Sequence, residues 1–202
     1  VLLYGIPFLQ KYQFETIQNG VTSDGLSRNF HAIVGAGTGI GIARGLINEN
    51  NVNVLPSEGG HMEFSPRSKE EWELKTWLKN HLKLERISCE RIISGSGLSR
   101  IAEWRLSKSD AKNHPFQTKI KELQISDDAR KKIPEQICKL SNEGDILMME
   151  IERIWLEAYA SLLGDVAVHE LCFGGLWISG GTAKKHLKNF KSDSFLKQLS
   201  NK

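Results

Sequence analysis

The chain has 202 residues, of which 40% are hydrophobic and 25% are charged, and this is the composition of a globular protein with one good-sized core, or with one domain and a small appendage. Its 27 basic and 24 acidic residues leave a net charge of +3, and the scattered basic residues give no footprint for a nucleic-acid partner. No apolar run approaches the ~18 residues of a membrane span, so we expect a soluble, cytoplasmic protein without a membrane partner.

The first predicted elements are the end of a helix, a strand and a hairpin. The apolar residues 1–9 resemble the end of a helix that closes near Pro7, and both ends of the chain suggest cuts through a larger fold. Residues 29–35 (NFHAIVG) have the composition of a strand. The segment 40–56 alternates imperfectly and turns at residues 48–51, which predicts a β-hairpin.

Helices dominate the middle of the chain. Ser68 and Glu71 have the spacing of a capping box, and the apolar residues after them recur at helical intervals. Residues 89–106 predict a short extended piece, a glycine turn and a helix. Residues 107–118 predict a polar loop, and a face of apolar residues predicts the longest helix, over roughly residues 143–169.

The last predicted elements are a strand and a capped helix. Residues 171–181 (LCFGGLWISGG) predict an apolar strand that ends in a glycine pair, with Thr182 placed to cap the helix that follows. Strands mixed with long helices indicate the α/β class.

Two glycine-rich stretches are candidates for binding phosphate. GAGTGIGIARG (35–45) follows a strand, and its bare N–H groups could cradle an anion. A dinucleotide fingerprint would need glycine where Ile40 stands, and a P-loop would need a lysine that is absent, so we interpret the stretch as a turn between two strands with Thr38 at its tip. Taken alone, it fits a plain hairpin turn better than a phosphate site, and ISGG (178–181) is open between a strand-to-helix turn and a nucleotide contact.

Glu58 and His61 flank the glycine pair of LPSEGGHMEF (55–64). An ionised glutamate accepts hydrogen bonds and a neutral histidine both donates and accepts, so the pair suits a ligand rich in hydroxyls. Glu90 could be a further inward acceptor, although alone it fits a surface charge better. The pair has no third ligand nearby and the three cysteines lie far apart, so we predict no metal site.

Together these motifs resemble one family. The matching stretches, in order, are GAGTGIG (35–41), LPSEGGHMEFSP (55–66), SCERIISGSGL (88–98) and FGGLWISGG (173–181). They resemble the bacterial-type glucokinases of the hexokinase and actin-like ATPase superfamily over most of the chain. The resemblance implies a ribonuclease H-like, actin-like ATPase fold in which a mixed sheet is flanked by helices. It also implies that residues 1–202 are the incomplete large, C-terminal domain of a two-domain sugar kinase whose small N-terminal domain is absent from this chain.

The resemblance also implies roles for individual residues. The residues that match the sugar-binding positions are Glu58, His61 and Glu90, and the glycine pair between the first two would admit the sugar ring. The residues that match the nucleotide-binding turns are Gly37, Thr38 and Gly39 for the phosphates, and Gly180 and Gly181 for the adenosine. The family transfers the γ-phosphoryl group of ATP, with Mg²⁺, to the 6-hydroxyl of glucose. Glucose and ATP are therefore the expected partners, and a homodimer is an expected assembly.

The chain departs from the family in its phosphate loop and its catalytic base. The family's D-x-G-G-T-N loop and its Asn-Asp pair, whose aspartate is the general base, do not occur in the sequence. The resemblance puts that base a few residues upstream of Val1, so we expect no catalytic residue within the chain. No aspartate in the chain is predicted to be the base, because the candidates Asp24, Asp110 and Asp145 stand in polar loop or cap contexts.

Two alternatives to a glucose kinase stay open. One is a catalytically inactive sugar-binding remnant of the same fold, and the other is a kinase for another hexose. Relatives that act on other sugars usually carry a cysteine-rich zinc motif after the histidine. Residues 62–90 hold only Cys89, so glucose is the favoured substrate.

Overall fold

Within the part of the chain that the structure describes, the strands form one four-stranded mixed sheet. β1 (Phe30–Ala36), β2 (Ile40–Asn48) and β3 (Asn51–Ser57) follow one another along the chain and pair antiparallel, and β4 (Gly175–Ser179) pairs parallel to β1. The order across the sheet is β3-β2-β1-β4. The predicted strands and hairpin are confirmed, and so is the α/β class.

The computed structural model describes residues 2–20, 28–48, 51–126, 128 and 131–202. The chain divides into two units, each with its own internal packing. The first unit comprises Val1–Gly60 and Tyr159–Lys202, and the second comprises His61–Ala158.

The described helices differ widely in length. In chain order they are α1 (Leu2–Gly5), α2 (Lys69–Leu82), α3 (Gly95–Leu106), α4 (Phe116–Leu123), α5 (Ile133–Asn142), α6 (Ile146–Glu170), α7 (Gly181–Lys185), α8 (Leu187–Phe190) and α9 (Asp193–Ser200). The longest is α6, and it confirms the long helix predicted from the apolar face. Nowhere in the described part of the chain is a helix long and apolar enough to cross a membrane.

Two predicted segments differ from the structure. Cys89–Arg91 forms a 3₁₀ turn where a short extended piece was expected, because the N–H groups of the next two residues turn back to the Cys89 carbonyl at 3.0 and 2.7 Å. The polar loop is shorter than predicted, since Ser109–Ala111 is a 3₁₀ turn and Phe116 begins α4. Pro115 already has a helical φ of −56°, which favours a helix start there.

Part of the core of the first unit lies on the face of the sheet to which alternate residues of β1 point. Ala32, Val34 and Ala36 alternate along β1 and are fully buried. From the C-terminal half of α6, the Tyr159 hydroxyl donates to the Val34 carbonyl at 3.4 Å, and the Tyr159 ring meets Phe190 edge-on at 5.8 Å. Burial raises the pKa of Tyr159, so the hydroxyl keeps its proton and acts as a donor.

The second unit is built from helices. Fully buried Trp155 donates its indole N–H to the Ser94 carbonyl at 3.2 Å, which ties α6 to the start of α3. The predicted cap of α2 is confirmed, since Ser68 Oγ accepts the N–H of Glu71 at 3.1 Å. The buried Glu71 carboxylate reaches back to the N–H of Arg67 at 2.6 Å. Desolvation raises the pKa of Glu71 even though the carboxylate accepts the N–H of Arg67.

Candidate functional site

Two glycine turns follow neighbouring parallel strands at the same edge of the sheet. β1 leads into the turn at residues 37–39, and β4 leads into residues 180–181. Gly35 pairs with Ser179 in the register of β1 and β4, so the two strands end side by side. Open α/β sheets bind their ligands at the carboxyl ends of parallel strands. The structure thus brings together the residues predicted for the nucleotide, which are Gly37, Thr38, Gly39, Gly180 and Gly181.

The first turn is tight and leaves open space at its glycines. The N–H of Gly37 donates to the Gly39 carbonyl at 2.8 Å, and Thr38 is exposed at the tip. A Cβ added at Gly37 or at Gly41 would meet no atom within 4 Å. Packing within the chain therefore does not require glycine at these positions. Gly41 lies within the predicted phosphate-binding stretch, although no role was assigned to it from the sequence.

The second turn lies directly against β1. Gly180 has a φ of +93°, and a Cβ there would lie 2.4 Å from the Ala36 carbonyl oxygen, so both its backbone and its surroundings require glycine. The prediction that Thr182 caps the following helix is wrong. The N-cap of α7 is Gly180, and the Thr182 hydroxyl instead donates to the Ala36 carbonyl at 2.8 Å.

Glu58 lies in the first unit, exposed, directly after β3. Behind it the chain is held by Ser57, whose hydroxyl accepts the N–H of Gly59 at 3.0 Å. Gly60 is buried, and a Cβ there would lie 2.4 Å from the Ile40 carbonyl oxygen. The sequence predicted that this glycine admits a sugar ring. Close packing against β2 is by itself a sufficient reason for glycine at this position.

The segments that carry His61 and Glu90 lie side by side in the second unit. Glu63 and Ser88 form an antiparallel bridge, flanked on both sides by backbone hydrogen bonds of 2.8 Å. His61 lies two residues before Glu63 and Glu90 lies two residues after Ser88, so in this antiparallel pairing both are on the same side of the bridge. The Arg86 guanidinium donates to the His61 carbonyl at 2.8 Å and holds the end of its segment. The structure therefore brings these two predicted sugar ligands to the same end of one pairing.

Two of the aspartates named above, Asp110 and Asp145, hold structural contacts. Exposed Asp110 accepts two hydrogen bonds from the Arg105 guanidinium at 3.0 and 2.9 Å, and this guanidinium lowers the pKa of Asp110. Asp145 accepts the N–H of Met148 at 3.0 Å at the start of α6, and its other oxygen contacts His114 Nε2 at 3.0 Å. The third aspartate, at position 24, lies outside the described residues. We propose neither Asp110 nor Asp145 as the catalytic base.

Two solved glucokinases share the fold of this chain. A glucokinase from an Antarctic psychrotroph superposes with a TM-score of 0.76 at 23% sequence identity, over 99% of this chain and 56% of its own. A ROK family glucokinase from Streptomyces griseus, solved in complex with glucose and AMPPNP, superposes with a TM-score of 0.55 at 18% identity, over 88% of this chain and 53% of its own. The chain therefore has the actin-like ATPase fold of the sugar kinases.

The sequence comparisons define the family. The Glucokinase family model matches residues 1–202. A glucokinase of Nostoc punctiforme is 31% identical over 204 aligned residues, which cover 98% of this chain and 59% of the relative. The chain belongs to the glucokinase family. It spans 59% of the length of this curated relative.

Proposed function

We propose that this chain is part of an ATP-dependent kinase that transfers the γ-phosphoryl group of ATP to the 6-hydroxyl of glucose. The observation that carries the proposal is the meeting of two glycine turns at the carboxyl edge of β1 and β4, in a chain of the glucokinase family. Phosphoryl transfer depends mostly on positioning and on charge stabilisation, so open backbone turns for phosphate are the parts that the reaction needs.

The first turn would bind the phosphates of ATP. The Gly37 N–H already donates to Gly39, so we assign phosphate binding to the N–H groups of Thr38 and Gly39 and to the exposed Thr38 hydroxyl. The open space beside Gly37 and Gly41 would let a phosphate approach the backbone. Gly180 and Gly181 would contact the adenosine, and a Cβ at Gly181 likewise meets no atom within 4 Å.

Neither glycine turn supplies ligands for Mg²⁺. Residues 35–41 and 178–182 contain no aspartate or glutamate, and Mg²⁺ in such sites usually takes one or two carboxylates together with phosphate oxygens and water. The turns therefore do not fit a metal site of their own. We propose that Mg²⁺ enters with the phosphates of ATP.

Glu58, His61 and Glu90 would bind the sugar. The two carboxylates accept hydrogen bonds from hydroxyls, and the imidazole can donate one and accept another. A site lined with such groups rejects analogues that lack the matching hydroxyls, because its polar atoms are then left unpaired. A cytoplasmic location and a homodimeric assembly stay predictions from the sequence.

The test is formation of glucose 6-phosphate by the full-length protein that contains this chain, in a coupled assay with ATP and glucose. We expect Glu58→Gln to lower kcat/KM for glucose by about 10- to 100-fold, the cost of losing a hydrogen bond to a charged acceptor. The matched control is Glu85→Gln, which changes an exposed glutamate outside the predicted site and should keep the wild-type rate.

The alternatives give different outcomes in the same assay. A wild-type protein that binds glucose but forms no glucose 6-phosphate would support a sugar-binding remnant. Faster turnover of another hexose would support a kinase of different specificity. Equal rates for Glu58→Gln and for the wild type would contradict the role of Glu58.

A further inference from the structure

The carbonyl of Ala36 is contacted by the segment that carries the second glycine turn, and it directly precedes the first turn. Ala36 is the last residue of β1, fully buried, and the 37–39 turn begins immediately after it. The Thr182 hydroxyl donates to this carbonyl at 2.8 Å across a separation of 146 residues in sequence. Thr182 follows the second turn directly, so one hydrogen bond connects the residue before the first turn with the residue after the second.

A second contact converges on the same peptide group. Gly180 approaches Ala36 so closely that a Cβ would lie 2.4 Å from its carbonyl oxygen and 3.0 Å from its nitrogen. The backbone of the second turn therefore rests on Ala36, and the Thr182 hydroxyl fastens it there. Both contacts lie within the first unit of the structure.

The Thr182 hydroxyl does not serve its own helix. The N-cap of α7 is Gly180, which makes no side-chain cap hydrogen bond, and the helix ends at Lys185. Threonine is β-branched and stiff about χ1, so its hydroxyl holds a bond partner in a fixed direction at little entropic cost. These properties suit a residue that sets the spacing of two backbone segments.

We propose that Thr182 is a positioning residue for the nucleotide site, fixing the distance between the turn that binds phosphate and the turn that binds adenosine. This inference rests on the function proposed above. ATP would contact both turns at once, so a change in their spacing weakens its binding. Glucose would be held by Glu58, His61 and Glu90, none of which belongs to either turn, so its binding is left unchanged.

The test compares Thr182→Val with Thr182→Ser in the full-length protein. Valine keeps the shape of the side chain and removes the donor, whereas serine keeps the donor. We expect Thr182→Val to raise the Kd of AMPPNP, measured by calorimetry, and the KM for ATP by about two- to tenfold, the effect of one neutral hydrogen bond. The KM for glucose should stay at the wild-type value, and Thr182→Ser should restore nucleotide binding.

The outcomes separate this inference from the proposed function. If the wild type binds AMPPNP and Thr182→Val binds it equally well, the positioning role is wrong and the function stands. If the wild type does not bind AMPPNP, both fail. A rise in the KM for glucose that matches the rise for ATP would mean a general structural role and would overturn the inference. If circular dichroism showed Thr182→Val to be unfolded, Thr182→Ala would replace it and be judged by the same criteria.

Discussion

At the scale of single residues, glycines that look alike in sequence are present for different physical reasons. Gly60 is buried where a Cβ would lie 2.4 Å from the Ile40 carbonyl oxygen and 2.5 Å from its Cγ2 atom. Gly41 is exposed, and a Cβ there meets no atom within 4 Å. Glycine at position 60 is therefore required by packing, whereas glycine at position 41 leaves room beside a turn that we propose binds phosphate.

This difference predicts effects of different size for two matched substitutions on the free energy of unfolding. Gly60→Ala should lower the free energy of unfolding by about 1–3 kcal/mol, because the methyl group must push β2 away. Gly41→Ala should change it by less than about 1 kcal/mol. Urea denaturation followed by circular dichroism measures both values. Equal stability of the two variants would contradict the steric argument.

At the scale of elements, a polar contact adds to the backbone ladder between β1 and β4. The Trp177 indole N–H donates to His31 Nδ1 at 3.1 Å. On its other side the His31 ring is close to Gly174, where a Cβ would lie 2.5 Å from Nε2, and Phe14 packs edge-on against Trp177 at 5.7 Å. An Nδ1 atom that accepts a hydrogen bond carries no proton. Burial lowers the pKa of His31 from its ordinary 6.5, in agreement with this neutral form.

The lowered pKa of His31 predicts how stability depends on pH. The unfolded chain, with the ordinary pKa of 6.5, binds a proton more readily than the folded chain. The contribution of His31 is thus complete above the unfolded pKa and is lost as the pH falls below it towards the folded pKa. We expect the free energy of unfolding to decrease over this range in the wild type. His31→Asn keeps an acceptor that does not titrate, so its loss over the same range should be smaller. Identical pH profiles would show that His31 does not contribute.

At the scale of the whole molecule, side-chain contacts join segments that lie far apart in sequence. In the first unit, Arg44 on β2 donates to both carboxylate oxygens of Glu170, at the end of α6, at 2.6 and 2.9 Å. The two residues are 126 positions apart, and the Glu170 side chain is only 10% exposed. The pair therefore fixes the end of the longest helix to the sheet.

Breaking this ion pair should destabilise the first unit. Arg44→Met leaves the Glu170 carboxylate nearly buried without its guanidinium, and we expect a loss of about 1–3 kcal/mol in the free energy of unfolding. A double-mutant cycle with Glu170→Gln measures the coupling between the two side chains. Lys139→Met breaks an exposed pair with Glu143 and serves as the control, with an expected change below about 0.5 kcal/mol. A coupling energy near zero for Arg44 and Glu170 would contradict the prediction.

The sequence alone determined the features whose physical causes act over a few residues. The strand at 29–35, the hairpin at 40–56 and the long helix were predicted from periodicity and turn residues, because side-chain spacing sets which face of an element is apolar. The cap at Ser68 was predicted because the capping contact spans only three residues. The motifs that carry the resemblance to glucokinases are likewise short stretches of chain.

Which of these stretches meet depends on how distant parts of the chain pack in three dimensions. The parallel pairing of β4 with β1 puts two distant glycine turns at one edge, and a bridge between Glu63 and Ser88 brings His61 towards Glu90. The Thr182 hydroxyl, expected to cap a helix, instead donates a hydrogen bond to the Ala36 carbonyl at the end of β1. Local propensities do not encode such pairings, because their free energy comes from surfaces that are buried only when distant segments pack together.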